Sequence, residues 1–190
     1  MMQKKFKDYL SPQEYQSYQQ EQAKQIVTKA ENEGRVYKKP FYDFQNLYRN
    51  DPGAFVVECF DWDRVVDHDG PASYQLRILD NWAFYNRQAI RGPRGLGKST
   101  LAAWCILHFA LTHDGLDWKI ITTASTWAQL ENFLWPEVHK WARLLDWDKV
   151  GREPFNDRYE LQNTRLRLNT GLALAQSPEK EEAIEGGHAD

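Results

Sequence analysis

Cysteine, excess charge of either sign and long apolar runs are all scarce in this chain of 190 residues, and each shortage removes a class of protein. The only cysteines, Cys59 and Cys105, stand alone in apolar surroundings without CxxC spacing. Neither a disulfide framework nor a zinc site is expected, and both read as buried thiols of a reducing compartment. The formal net charge is −3, so no strongly basic face shows in the totals. A local basic patch on a domain of mixed charge stays open, and the balance neither supports nor excludes DNA. The longest apolar stretch, Leu101 to Leu111, is too short to cross a bilayer and reads as a core helix. No signal peptide is evident and no membrane partner is expected. What remains is 42 % hydrophobic and 14 % aromatic, enough for one well-cored folded domain.

The most informative segment is Gly92-Pro93-Arg94-Gly95-Leu96-Gly97-Lys98-Ser99, which fits G-x-x-x-x-G-K-[ST] and runs into Thr100 and an apolar stretch. Gln88-Ala89-Ile90 reads as the end of a strand and Lys98 to Leu111 as a helix, so the glycines fall at a strand-to-helix turn. Successive backbone N–H groups of such a loop form an anion nest, and the first turn of the helix adds its unpaired N–H groups and positive dipole end. Gly92, Gly95 and Gly97 are expected to take backbone angles closed to other residues and to approach phosphate oxygens closely. Lys98 would reach the β- and γ-phosphates of a nucleotide, the Ser99 hydroxyl would ligate Mg²⁺, and Thr100 would face the α-phosphate.

Around this loop the chain reads as alternating helices and strands. Ser11-Pro12-Gln13-Glu14 is a capping-box start, and a polar helix to about Asn32 carries a shallow apolar face of Tyr15, Tyr18, Ala23, Ile26 and Ala30. That helix is either a solvated arm or a docking arm for another subunit. Lys38-Lys39-Pro40 reads as a linker, and Asp51-Pro52-Gly53 opens a helical segment through Phe60. The pattern therefore divides into an N-terminal helical arm and linker over 1–50 and a domain over 51–190. Asp61-Trp62-Asp63 and Asp67-His68-Asp69-Gly70 lack metal-site spacing and read as a turn. Tyr74, Ile78 and Trp82 put a helix over Ser73 to Tyr85, with Gln75 as its exposed polar residue. Trp118 to Ala124 reads as a strand, which with the loop helix makes a βαβ unit and hence a parallel sheet. Trp127, Leu130, Leu134, Val138, Trp141 and Leu145 mark the buried stripe of a long helix, which Pro136 should kink or restart. Arg158 to Leu168, turning at Asn163-Thr164, reads as a hairpin, followed by a strand over Leu172 to Gln176.

The order Tyr74-Gln75, the loop, Thr122-Thr123-Ala124-Ser125 with Gln129, and Glu182-Ala183-Ile184-Glu185-Gly186 resembles the large subunit of tailed-phage or prophage terminases, over about Asp51 to Asp190. The resemblance implies an α/β fold, the additional-strand, RecA-like P-loop NTPase with its three-layer sandwich. It also implies an ATP- and Mg²⁺-dependent motor that drives double-stranded DNA into a procapsid. A homo-oligomeric ring, a small terminase subunit and the portal protein are the partners it implies, in the bacterial host cytoplasm and transiently at the procapsid portal. By position, Gln75 matches a glutamine that reads the adenine edge through a bidentate amide. Arg94 matches an arginine carried inside the loop, either a finger that neutralises charge on the γ-phosphate beside Lys98 or a solvated loop residue. Thr122, Thr123 and Ser125 match a strand end that couples the nucleotide site to DNA, and their hydroxyls serve equally well as caps for the helix near Thr126. His188 has no visible partner.

A hydrolytic P-loop enzyme also needs an apolar strand ending in Asp for Mg²⁺ and an adjacent Glu for the attacking water. Leu144-Leu145-Asp146 sits at a helix end, and Leu79-Asp80 precedes the loop and is followed by Asn81. The resemblance places the acidic pair beyond Asp190 and the family's nuclease in a further domain, so the chain reads as part of an ATPase domain, inactive alone and with at most weak nucleotide binding. Unpaired strand edges are the expected structural consequence. A helicase-like P-loop ATPase and a non-catalytic interaction module that keeps the loop as scaffold are the alternatives.

Overall fold

In the computed structural model, Ser17 and residues 39–65, 69–85 and 87–177 are described. The chain divides into Met1–Tyr37 and Lys38–Asp190, and all the elements below belong to the second unit. The expected helix over 11–32 except Ser17, Asp67-His68, the segment Glu182 to Gly186 and His188 lie outside the described residues.

The core is built around one helix. α4 (Lys98–His113) buries Leu101, Ala103, Trp104, Ile106, Leu107, His108, Ala110, Leu111 and Thr112, a set that covers more than one face and so demands neighbours on several sides. Those neighbours include α1 (Lys39–Tyr48), α2 (Pro52–Cys59) and α6 (Trp135–Ala142), with α3 (Ser73–Phe84) touching it through Trp82 on the His108 ring. α1 stands where a linker was expected. Pro40 is tolerated in its first turn, where no donor is needed, and Phe41, Phe44, Gln45 and Tyr48 form a buried face at helical spacing. From that face Gln45 Nε2 donates to the Leu111 and Asp114 carbonyls at 2.9 and 2.7 Å, and Arg49 Nε donates to Thr112 O at 3.0 Å. These bonds satisfy carbonyls that the end of α4 leaves without a helical partner. α2 begins as expected at Asp51, whose carboxylate accepts from Ala54 N at 2.8 Å. A 3₁₀ turn, Trp62–Arg64, follows it.

Rings fill the space between these helices. Phe55, Phe60, Trp62, Trp104 and Trp141 are linked by ring contacts, with Trp104 and Trp141 edge to face at 4.9 Å between centroids. At about 1.5–3 kcal/mol for each large apolar side chain taken from water, this cluster outweighs any single polar contact in the unit.

The sheet has four strands, β1 (Trp118–Thr123), β2 (Leu161–Gln162), β3 (Arg165–Arg167) and β4 (Gly171–Gln176), in the order β1-β4-β3-β2. β1 and β4 are parallel; β2, β3 and β4 are antiparallel, with the β2–β3 turn at Asn163-Thr164 as expected. The fold is thus α/β, but the sheet is mixed and not purely parallel. The strand expected at Gln88-Ala89-Ile90 is not in it. Residues 87–93 are exposed for the most part and outside any ladder, with Ile90 47 % exposed, so the expected βαβ unit lacks its first strand. Gln88 and Ile90 line one apolar groove with residues of β1, and an extended segment with no neighbour on either edge forms no ladder.

Between β1 and α6 the chain runs through a single helical turn, α5 (Trp127–Gln129), and a π-helical stretch, Leu130–Leu134. Pro136 then sits at the start of α6. Having no N–H, it cannot continue the i→i−4 ladder, and the helix accommodates it by widening upstream and restarting, not by a simple kink.

Candidate phosphate-binding loop

Gly92 to Gly97 leads into α4 through a turn at Arg94-Gly95. Gly95 has φ +85° and Gly97 φ +63°, both in the left-handed region, whereas Gly92 has no positive φ. The expectation of unusual backbone therefore holds for two of the three glycines. At Gly97 a second constraint acts: a Cβ there would meet Gln75 Nε2 at 2.9 Å. Gly97 caps α4 at its N-terminus, and its carbonyl accepts the first helical bond, from Leu101 N at 2.9 Å.

Lys98 folds back over the loop. Its Nζ donates to the carbonyls of Gly92 at 3.0 Å and Pro93 at 2.5 Å, so the ammonium stands across the loop while the side chain stays exposed to solvent. Arg94 and Ser99 are exposed at the loop and at the first turn of the helix. The loop is also anchored from behind, because Tyr74 OH donates to Leu96 O at 2.8 Å.

Gln75 departs from expectation. It is buried, at 7 % exposed, because its Oε1 accepts from Ala72 N at 2.8 Å and its Nε2 lies against Gly97. Ala72 has no side chain to cap α3, and Gln75 supplies half of a capping box from the third position. The side chain still touches the loop, with its donor aimed toward it and one lone pair of its carbonyl engaged at home.

Two cavities flank the first turn of α4. One, of about 570 Å³, is lined by Gln75, Gly95, Leu96, Gly97 and Thr100 on the loop side and by Trp62, Trp104 and Trp141 behind. The other is a groove of about 610 Å³ with Lys98, Thr122 and Thr123 at its rim and Ile78, Trp82, Leu101 and Phe109 among its walls. Lys98 and the threonines of β1 thus share one space, and Gln75 and the glycines share the other.

Thr122, Thr123 and Ser125 lie in different environments. Thr122 is buried, donates to Leu174 O at 3.0 Å and accepts from Trp135 Nε1 at 3.1 Å, which makes it a node tying β1 to β4 and α6. Thr123 is exposed. Ser125 is exposed too, and its Oγ bonds the Gln129 side chain at 3.2 Å. Thr126 is the N-cap of α5 and makes no side-chain cap bond.

Neither Glu137 nor the place of Trp62, Trp104 and Trp141 beside the loop was read from the sequence. Glu137 Oε2 accepts from Thr100 Oγ1 at 2.9 Å and from Trp141 Nε1 at 3.0 Å, which brings a carboxylate of α6 to the first turn of α4. Nothing in local spacing could reveal it, since the partners are 37 residues apart. The Trp104 indole N–H is buried without a partner among the described residues.

Chemically, the loop offers backbone donors, an ammonium and an exposed guanidinium to a polyanion. For a cation the offer is narrower. Among the described residues no group of three or more His, Cys, Asp or Glu side chains could hold a metal ion. A Mg²⁺ ion would rest on Ser99 Oγ and on the phosphate oxygens it arrives with, which is how that ion is commonly bound. No helix among the described residues is long and apolar enough to cross a membrane. Comparison with protein-family models, curated proteins and solved structures gave no match.

Proposed function

We propose that this chain binds the triphosphate of ATP on the loop Gly92 to Ser99, as part of the ATPase of a terminase large subunit that packages double-stranded DNA. The observation that carries the reading is the junction of loop and helix. Gly95 and Gly97 with positive φ open a buried helix whose first residue, Lys98, holds its ammonium over the loop. Such a junction concentrates backbone donors, dipole and charge at one point, and a phosphate chain is the ligand that answers all three.

In this reading Lys98 draws the β- and γ-phosphates, and the exposed Arg94 neutralises charge on the terminal phosphate. Ser99 Oγ takes a place on Mg²⁺, which when bound screens the phosphate oxygens from one another. The base enters the cavity behind the loop, where Gln75 and the walls of Trp62 and Trp141 offer an amide and aromatic faces. Thr123, exposed at the end of β1, and Ser125, exposed just past it, are left to contact DNA, while Thr122 supports them from within. The finer fold, an additional-strand P-loop NTPase, and the ring, small subunit and portal as partners in the bacterial cytoplasm all rest on the motif order.

Titration calorimetry tests the reading. Mg·ATP is expected to bind the wild-type chain, and Lys98→Ala is expected to weaken it at least about tenfold, the scale of losing a charge-assisted contact to phosphate. Equal affinity in the two proteins overturns it.

A further inference from the structure

We infer that Glu137 is a positioning residue that sets the affinity of the loop for its anionic ligand, by holding a carboxylate against the first turn of α4. The inference rests on the nucleotide reading of the loop and adds to it a residue from a different element.

The first turn of a helix is where backbone donors and the dipole favour a negative group. Glu137 already supplies one there, because its Oε2 accepts the Thr100 hydroxyl at 2.9 Å. The carboxylate does not swing freely. Trp141, four residues on along α6, donates its indole N–H to the same oxygen at 3.0 Å, and Glu137 is half-buried, so water screens its charge only in part.

Thr100 also lines the cavity shared by Gln75, Gly95 and Gly97. A phosphate that reaches this turn meets two obstacles. It approaches a like charge, and it competes for a hydroxyl that has a single proton to give. Binding therefore either draws the Thr100 hydroxyl away from Glu137 or proceeds without it, and both weaken the complex. Glu137 acts through Thr100 and through its field, and it lends the loop no donor of its own.

Glu137→Gln isolates the charge. The amide oxygen can still accept from Thr100 and Trp141, while the negative charge is gone. Calorimetry on the full chain with Mg·ATP, and separately with magnesium tripolyphosphate, is expected to show affinity about 3- to 10-fold tighter than wild type at low salt, the scale of removing one partly screened like charge. The gain should shrink as ionic strength rises, which loss of a structural contact would not produce. Glu137→Met, charge-free with different packing, should give the same sign. Unchanged or weaker binding in either folded variant overturns the inference. A Lys98→Ala control separates the two failures: if it binds as wild type does, the nucleotide reading itself falls and takes Glu137 with it.

Discussion

His108 shows how a single buried polar group can govern the acid response of this fold. Burial lowers its pKa to about 4, while the bond to the Tyr48 carbonyl, 2.8 Å from Nε2, opposes that shift. A carbonyl only accepts, so Nε2 carries the proton and the ring is neutral. His113 is lowered in the same way, to about 3, first by burial and then by Arg49. Between about pH 6.5 and about pH 4 the unfolded chain takes up protons that the folded chain refuses. Stability is then complete above about 6.5 and is lost as the pH falls through that window, at about 1.4 kcal/mol per pH unit for each such group. Melting temperatures from pH 7 to pH 5 should fall accordingly, and His108→Gln should flatten the slope. A melt that does not move over that range would contradict the burial of these rings. Cys59, whose thiol is pushed up to about 12 chiefly by burial, agrees with the expectation of a buried thiol, whereas Cys105 is half-buried.

At the scale of elements, the parallel pairing of β1 with β4 includes one very close approach. Gly171 lies opposite Trp118, and a Cβ on it would fall 2.1 Å from the indole. Gly171→Ala must displace a ring that is 5 % exposed, and a cost of about 1–3 kcal/mol is expected from the overpacking. Denaturant unfolding measures it, and an unchanged midpoint would show that Trp118 is not held there. The sequence made this strand legible through its β-branched residues, and likewise the hairpin through Asn163-Thr164 and α4 through its apolar run. It did not reveal α1, because Lys38-Lys39-Pro40 looks like a break although proline suits a first helical turn. It also suggested a strand at Gln88 to Ile90, since local propensity carries no information about whether a neighbour is there to pair with. Of the site, the loop and its lysine were legible because their chemistry is local. The burial of Gln75, the tryptophan wall and Glu137 were not, because each depends on contacts between distant parts of the chain.

For the whole molecule, the α/β unit presents β1 at the end of the sheet, with no partner on its outer edge among the described residues. Beside that edge runs the groove bounded by α3 and α4, and Ile121, Ile90, Tyr85 and Phe84 are exposed nearby or on its approaches. An open edge beside apolar surface favours self-association. Light scattering behind size-exclusion chromatography should show oligomers that grow with concentration, and Ile121→Lys should reduce them; a monodisperse monomer at all concentrations would contradict this. The proposed function, however, lies with the loop and not with the edge. Its most direct test is to follow the backbone amide resonances of Gly92 to Thr100 by NMR as Mg·ATP is added. The account predicts that the amides of Gly95, Gly97, Lys98 and Ser99 shift most, and that Lys98→Ala abolishes the response. Shifts confined to other parts of the chain, or none at saturating ligand, would contradict it.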